Sequence, residues 1–240
     1  MLKQREVWTG WPRITVDDEL RQLAASMPGR AYTANKTPSD LTNLMFLGSQ
    51  QELTAAFSEA HWLEADDLGV RTAINVAQAT IRQTGASTAP VSSLYINGKL
   101  PDLVFQKSLD TFAKRHHIRV WNTGKTYQGR QVWVGAATHD IGTSSSRAYT
   151  KWAHRIDPHI DRERDWVETD LLFVGTATAY ADIDRPNAPR KSANATGDDL
   201  LTDGKISVVE LARVNAPGGN APALRPRPQA PVSKSAQSGD

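Results

Sequence analysis

The chain has 240 residues, of which 39% are hydrophobic, enough for one sizeable core with polar, disordered extensions. Its 28 basic and 26 acidic residues nearly cancel, so it lacks the overall positive field that gathers nucleic-acid phosphates, and having no cysteine excludes disulfides, thiolate catalysis and cysteine-bound zinc. No apolar run reaches the ~18 residues a spanning helix needs, and the polar opening MLKQREVWTG lacks a signal peptide's apolar centre, so the sequence as it stands reads as a soluble chain.

In chain order, NLMFLGS (43–49) has the length and composition of a short buried strand. Ser49 followed by Glu52 is a capping box opening a helix, whose stripe is Leu53, Ala56, Phe57 and Ala60, with Trp62 packing just past its end. A second helix is predicted from Asp66 or Asp67 through Val70, Ile74, Ala77 and Ile81 to Gly85. Asn97-Gly98 between two apolar runs signals a hairpin, because that pair tolerates positive φ, and Pro101 keeps the return strand from full pairing at that point.

The segment KRHHIRVWNTGKTYQGRQVWVGAATHD (114–140) predicts two strands. Alternation puts His117, Arg119 and Trp121 on one face of the first, and His116, Ile118 and Val120 on the other. Pairing about a Gly124–Gly129 loop centred near Tyr127 sets Trp121 against Trp133, Arg119 against Gly135 and His117 against Ala137. That register predicts a shallow polar pocket with an aromatic end, and a slip of one residue removes it. HRIDPHIDRERDWVETDLLFVG predicts a helix with Asp157 as N-cap, Pro158 in the first turn and Ile160, Val167, Leu171 and Val174 buried. Glu163 and Arg164 fall in or beside that stripe and need partners.

KISVVELARV completes the predicted fold: α+β, a mainly antiparallel sheet with helices packed on one face. The expected organisation is one domain over 1–214, with a flexible loop at about 184–199. A disordered Pro/Ala-rich tail follows at 215–240, containing five of the 13 prolines.

NLMFLGSQQELTAAFSEAHW, RHHIRVW, VWVGAATHDIG and HRIDPHIDRERD, in this order, resemble the LssY C-terminal domain family over roughly Trp8 to Val214. The most specific parts are His117-x-Arg119-x-Trp121, the Asp140-Ile141-Gly142 turn, and the run from His154 to Arg164. The resemblance implies a soluble C-terminal part of bacterial proteins that also carry membrane-embedded DedA-like and lipid-phosphatase-like regions. Peripheral association with the bacterial cell membrane follows from that context, as does a phosphorylated small molecule or lipid headgroup as partner. It carries over no reaction.

On chemistry, His117 and His154 are the candidate acid and base, with Asp140 and Asp157 orienting them or binding a metal. Arg119, Arg155 and Arg164, with Glu163, Trp121 and Trp133, are the candidate ligand-binding residues, since guanidinium groups grip phosphate oxygens in pairs. His139 and Asp161 add further metal-ligand types, but neither H-E-x-x-H nor another short-range metal motif is present, so the metal and any other cofactor stay unassigned. The alternative is a non-catalytic partner-binding or accessory module whose polar cluster is structural. A nucleic-acid partner is not expected.

Overall fold

The computed structural model describes residues 10–64, 93–111, 114–145 and 152–214. The helix predicted over 66–85 and the tail at 215–240 lie outside them.

The chain opens with α1 (Asp18–Ala25), whose Asp17 cap accepts from the Leu20 N–H at 2.8 Å. Strands β1 (Arg30–Thr33), β2 (Pro38–Leu41) and β3 (Leu44–Leu47) lead into α2 (Gln50–Glu59). The capping box forms as expected: Glu52 N–H donates to Ser49 Oγ at 3.1 Å, and Ser49 N–H donates to the Glu52 carboxylate at 2.8 Å. Leu53, Ala56 and Phe57 are buried, and Trp62 packs beyond the helix end.

After β4 (Leu63–Glu64) come β5 (Leu94–Tyr95), β6 (Leu103–Thr111), β7 (Lys114–Tyr127), β8 (Arg130–Ser145) and β9 (Trp152–Ile156). The last part holds α3 (Ile160–Val174), β10 (Ala177–Asp184), β11 (Lys191–Ala193), β12 (Asp199–Leu201) and β13 (Lys205–Leu211). The short β11–β12 pair begins within the stretch read as loop. Asn97 and Gly98 both have positive φ and make the predicted turn, closed by an Ile96–Lys99 bridge. The turn joins two sheets, however: β5 pairs with β1, whereas β6 pairs with β7.

The main sheet runs β10-β13-β3-β8-β7-β6-β4, with β9 also on β8. Its pairs are antiparallel except β13 with β3, so the α+β, mainly antiparallel expectation holds. The two longer helices share one face. There Leu53 and Phe57 of α2 and Val167 and Leu171 of α3 pack on Phe46, Ile118, Val120 and Trp133. Phe57 stacks on Phe105 with centroids 4.3 Å apart, within the range where aromatic geometry adds to simple area burial. On the other face, Met45, Val134 and Val208 meet Leu20 and Ala24 of the short α1. Side chains alternate along β3, so one strand feeds both cores.

The β7–β8 register differs by one residue from the prediction. A two-residue turn at Gln128-Gly129, φ 48° and 74°, connects the strands instead of a loop centred on Tyr127. The register then shifts between Asn122 and Thr126, where Gly124 has φ 71°. A two-residue turn makes the pairing odd, and the irregularity preserves that parity, so Trp121 meets Val134, Arg119 meets Ala136 and His117 meets Thr138. Every β8 side chain is therefore on the opposite face from the one expected.

Candidate functional site

Trp121 and Trp133 do not form the aromatic end of a pocket. Both are buried, on opposite faces, with Trp121 donating to Lys99 O at 3.1 Å and Trp133 to Gly48 O at 2.8 Å. The His116-His117 pair is divided the same way, so each histidine heads a separate polar cluster.

On the α1 face, His117 Nε2 lies 3.0 Å from Asp140 Oδ2, and Arg119 contacts the Asp40 carboxylate at 3.1 Å. Asp140 reaches His117 diagonally, because β7 pairs His117 with Thr138 and Arg115 with Asp140. Asp40 comes from β2, in a stretch that carries no periodic or motif signal. Burial raises its carboxyl pKa, and Arg119 opposes that only in part. His117 and Arg119 keep 19% and 15% side-chain exposure.

On the α3 face, His116 is sandwiched between Trp166, 3.9 Å away and nearly parallel, and His139 at 4.3 Å. His116 Nδ1 lies 2.8 Å from Glu163 Oε2, both residues buried. Burial, and then neighbouring His116, lowers the His139 pKa against the pull of Glu163, Asp157 and Asp140, which favours its neutral, lone-pair-bearing ring. Ligand atoms of His116, His139 and Glu163 all lie within 4.8 Å of one another, a set of donor types a divalent metal accepts.

Asn43 holds the start of α3 against this end of the sheet. Its buried amide accepts from Ala137 N–H at 3.0 Å and donates to Ala137 O at 3.1 Å and Ile160 O at 3.3 Å. The Asp140-Ile141-Gly142 stretch read as a turn is instead an irregularity within β8, and the Asp157 N–H donates to His139 O at 2.9 Å beside it, so this part of β8 and the segment leading into the helix do meet. Asp157 lies two residues before the helix's His159 cap, where its carboxylate accepts from His159 N–H at 2.9 Å and approaches Arg162 at 3.5 Å.

Glu163 and Arg164 are buried, as their place in the stripe predicts, and each has found partners. Arg164 binds Asp203 at 2.7 and 3.1 Å, Asp165 at 2.8 Å and Asp161 at 3.3 Å. Burial alone would lower its pKa; those carboxylates raise it instead. Asp161 also accepts from Thr202 Oγ1 and Asp203 N–H, tying α3 to the β12–β13 connection. Arg155 is exposed opposite Gly142, and His154 pairs with Thr143 through the β8–β9 ladder, its side chain outside the described set. A shallow pocket of about 320 Å³, lined by Arg30, Tyr32, Leu41, Asn97 and their neighbours, contains none of the candidate catalytic or ligand-binding residues.

The clusters missed by sequence reasoning centre on His116, Asp40 and Trp166. Two adjacent histidines in a strand must face opposite ways, which was the available signal for His116.

The sequence model of the LssY C-terminus family matches residues 24–206. The chain belongs to that family. Both polar clusters of this LssY C-terminal domain fall within the matched span, whereas no curated protein and no solved structure matches the chain. Among the described residues, no helix is long and apolar enough to cross a membrane.

Proposed function

We propose that this LssY C-terminal domain binds a phosphomonoester, either a small molecule or a lipid headgroup, at His117, Asp140 and Arg119. The observation that carries the reading is the His117–Asp140 contact at 3.0 Å beside a half-buried arginine. With the ring donating from Nε2 to Asp140, Nδ1 bears the lone pair and serves as the base, and as the acid once it has taken up a proton. Arg119 is held by Asp40, whose carboxyl pKa burial raises, so Asp40 takes up a proton more readily than an exposed aspartate and a phosphate dianion competes for the guanidinium. In hydrolysis, His117 takes a proton from the attacking water as its oxygen bonds to phosphorus, the ester P–O bond breaks, and His117 returns that proton to the leaving alkoxide, which departs as the alcohol. Arg155, exposed on the adjacent strand, is a further contact for an approaching anion.

The second reading, a non-catalytic partner-binding or accessory module, is favoured by the pairing inside the cluster itself: Arg119 with Asp40 and His117 with Asp140. Its polar groups would then serve the fold. Peripheral attachment to membranes, which the family's companions imply, belongs with either reading.

Calorimetric titration with inorganic phosphate and glycerol phosphate, and turnover of p-nitrophenyl phosphate, separate the readings. The first predicts phosphate binding that His117→Gln and Arg119→Gln weaken at least about tenfold, with the melting temperature little changed in His117→Gln and lowered in Arg119→Gln, which unpairs the buried Asp40. No phosphate binding by the wild type, or a large loss of stability in both variants, favours the second. Vesicles with and without phosphatidic acid distinguish a lipid headgroup from a free phosphomonoester.

A further inference from the structure

We infer that His116, His139 and Glu163 form a binding site for one divalent transition ion of the zinc class, on the opposite face of the β7–β8 pair from the phosphate-binding cluster. The inference stands apart from the phosphomonoester reading.

Three observations converge. First, two imidazoles and a carboxylate from two strands and a helix bring ligand atoms within 4.8 Å of one another. Two histidines and one glutamate are a donor set that zinc accepts with a position left for water or an anionic oxygen. Second, the hydrogen bond between His116 Nδ1 and Glu163 Oε2 accounts for only half of each group. His116 Nε2 and Glu163 Oε1 are buried with no hydrogen-bond partner among the described residues, although the two residues are only 5% and 4% exposed. Buried polar atoms of native proteins are rarely left in that condition, and an unplaced ion is one of the accepted reasons. Third, the surroundings restrain the site. Trp166 stacks on His116, and the nearby cation Lys107, 5.1 Å above the Trp166 ring, is paired with Asp170 at 2.8 Å. Holding a ligand ring by packing is how metal sites maintain their orientation.

A tetrahedral zinc ion with bonds of about 2.0–2.1 Å holds its ligands about 3.4 Å apart, so the widest separation in the set, up to 4.8 Å, closes by about 1.4 Å, and because an imidazole nitrogen binds metal in its ring plane, His139 turns out of its parallel stack on His116 on binding. His139 is the half-buried member and the one with room to move; access is from its side. A buried histidine–glutamate pair that merely braces α3 against the sheet explains the 2.8 Å contact and the stacking of His139, but leaves both orphaned atoms.

The test uses the full chain stripped with a chelator. Zn(II) affinity is read by competition with a chromophoric chelator, and Co(II) by its visible d–d bands. One ion per chain is expected, with bands of a four- or five-coordinate site. His139→Gln, at the accessible position, should lower Zn(II) affinity at least tenfold without moving the metal-free melting temperature, and Glu163→Gln should lower it as well. If Glu163→Gln does not fold, the histidine ring nitrogens observed by NMR replace it: both His116 and His139 must shift on adding Zn(II). His117→Gln should bind as the wild type does. Substoichiometric binding, an octahedral Co(II) spectrum of water-like intensity, or Zn(II) affinity unchanged in His139→Gln would overturn the inference.

Discussion

Replacing Arg164 by Met decides whether this arginine serves the fold or a ligand. Methionine keeps much of the apolar stem's volume and removes the guanidinium, which is 5% exposed and contacts three carboxylates. Taking one partner from a buried ion pair costs about 3–5 kcal/mol when the remaining charge stays buried. Here Asp203, Asp161 and Asp165 keep 39%, 23% and 61% exposure, so water recovers part of that loss, and the arginine's own desolvation is removed too. About 3 kcal/mol remains, equivalent to roughly a 6–12 °C fall in melting temperature for a domain of this size. Circular dichroism melts at neutral pH measure it. The loss should shrink when Asp203→Asn is added, since the second substitution removes a carboxylate that the first left unpaired. A melting temperature within 2 °C of wild type, accompanied by loss of phosphate binding, would refute the structural role and make Arg164 a ligand contact.

Glu168 gives a pH signature. Burial pushes its carboxyl up to about 7, and the hydrogen bond from Ser207 Oγ offsets this only in part. The folded protein therefore keeps a proton that the unfolded chain releases near the ordinary value of 4.5, so stability falls as pH rises from about 4.5 to 7 and levels off above. A shift of this size corresponds to about 3 kcal/mol. Calorimetry at pH 5 and pH 8 should show Glu168→Gln losing less stability between them than wild type; parallel behaviour would show that Glu168 titrates normally. Asn43→Ala should cost about 3 kcal/mol, because it strands the buried N–H and C=O of Ala137 and removes a second bond to the Ile160 carbonyl. Urea midpoints read the loss, Ala137 amide exchange should quicken, and a cost below about 1 kcal/mol would mean that water replaces the amide.

Local chemistry made much of the fold legible. The Ser49–Glu52 box and the Asn97-Gly98 turn each report on residues a few positions away. The β7–β8 register was not legible to the same degree, because it depends on whether the turn contains an odd or even number of residues. Gln128, a non-glycine at positive φ, gives no strong warning of a two-residue turn. That single parity moved Trp133 and His139 to the face of His116. The charged residues in the α3 stripe were visible as residues needing partners, but the partners were not: Asp203 is 39 positions from Arg164, and His116 is 47 from Glu163. Asp40 was invisible for the same reason, reaching Arg119 across 79 positions.

The division of the two neighbouring histidines between opposite sides of one strand is most directly tested by titrating inorganic phosphate and Zn(II) into His117→Gln and His139→Gln. The expected result is a crossed loss: His117→Gln loses phosphate and keeps Zn(II), and His139→Gln does the reverse. Loss of both by either variant, or of neither by both, would contradict the account.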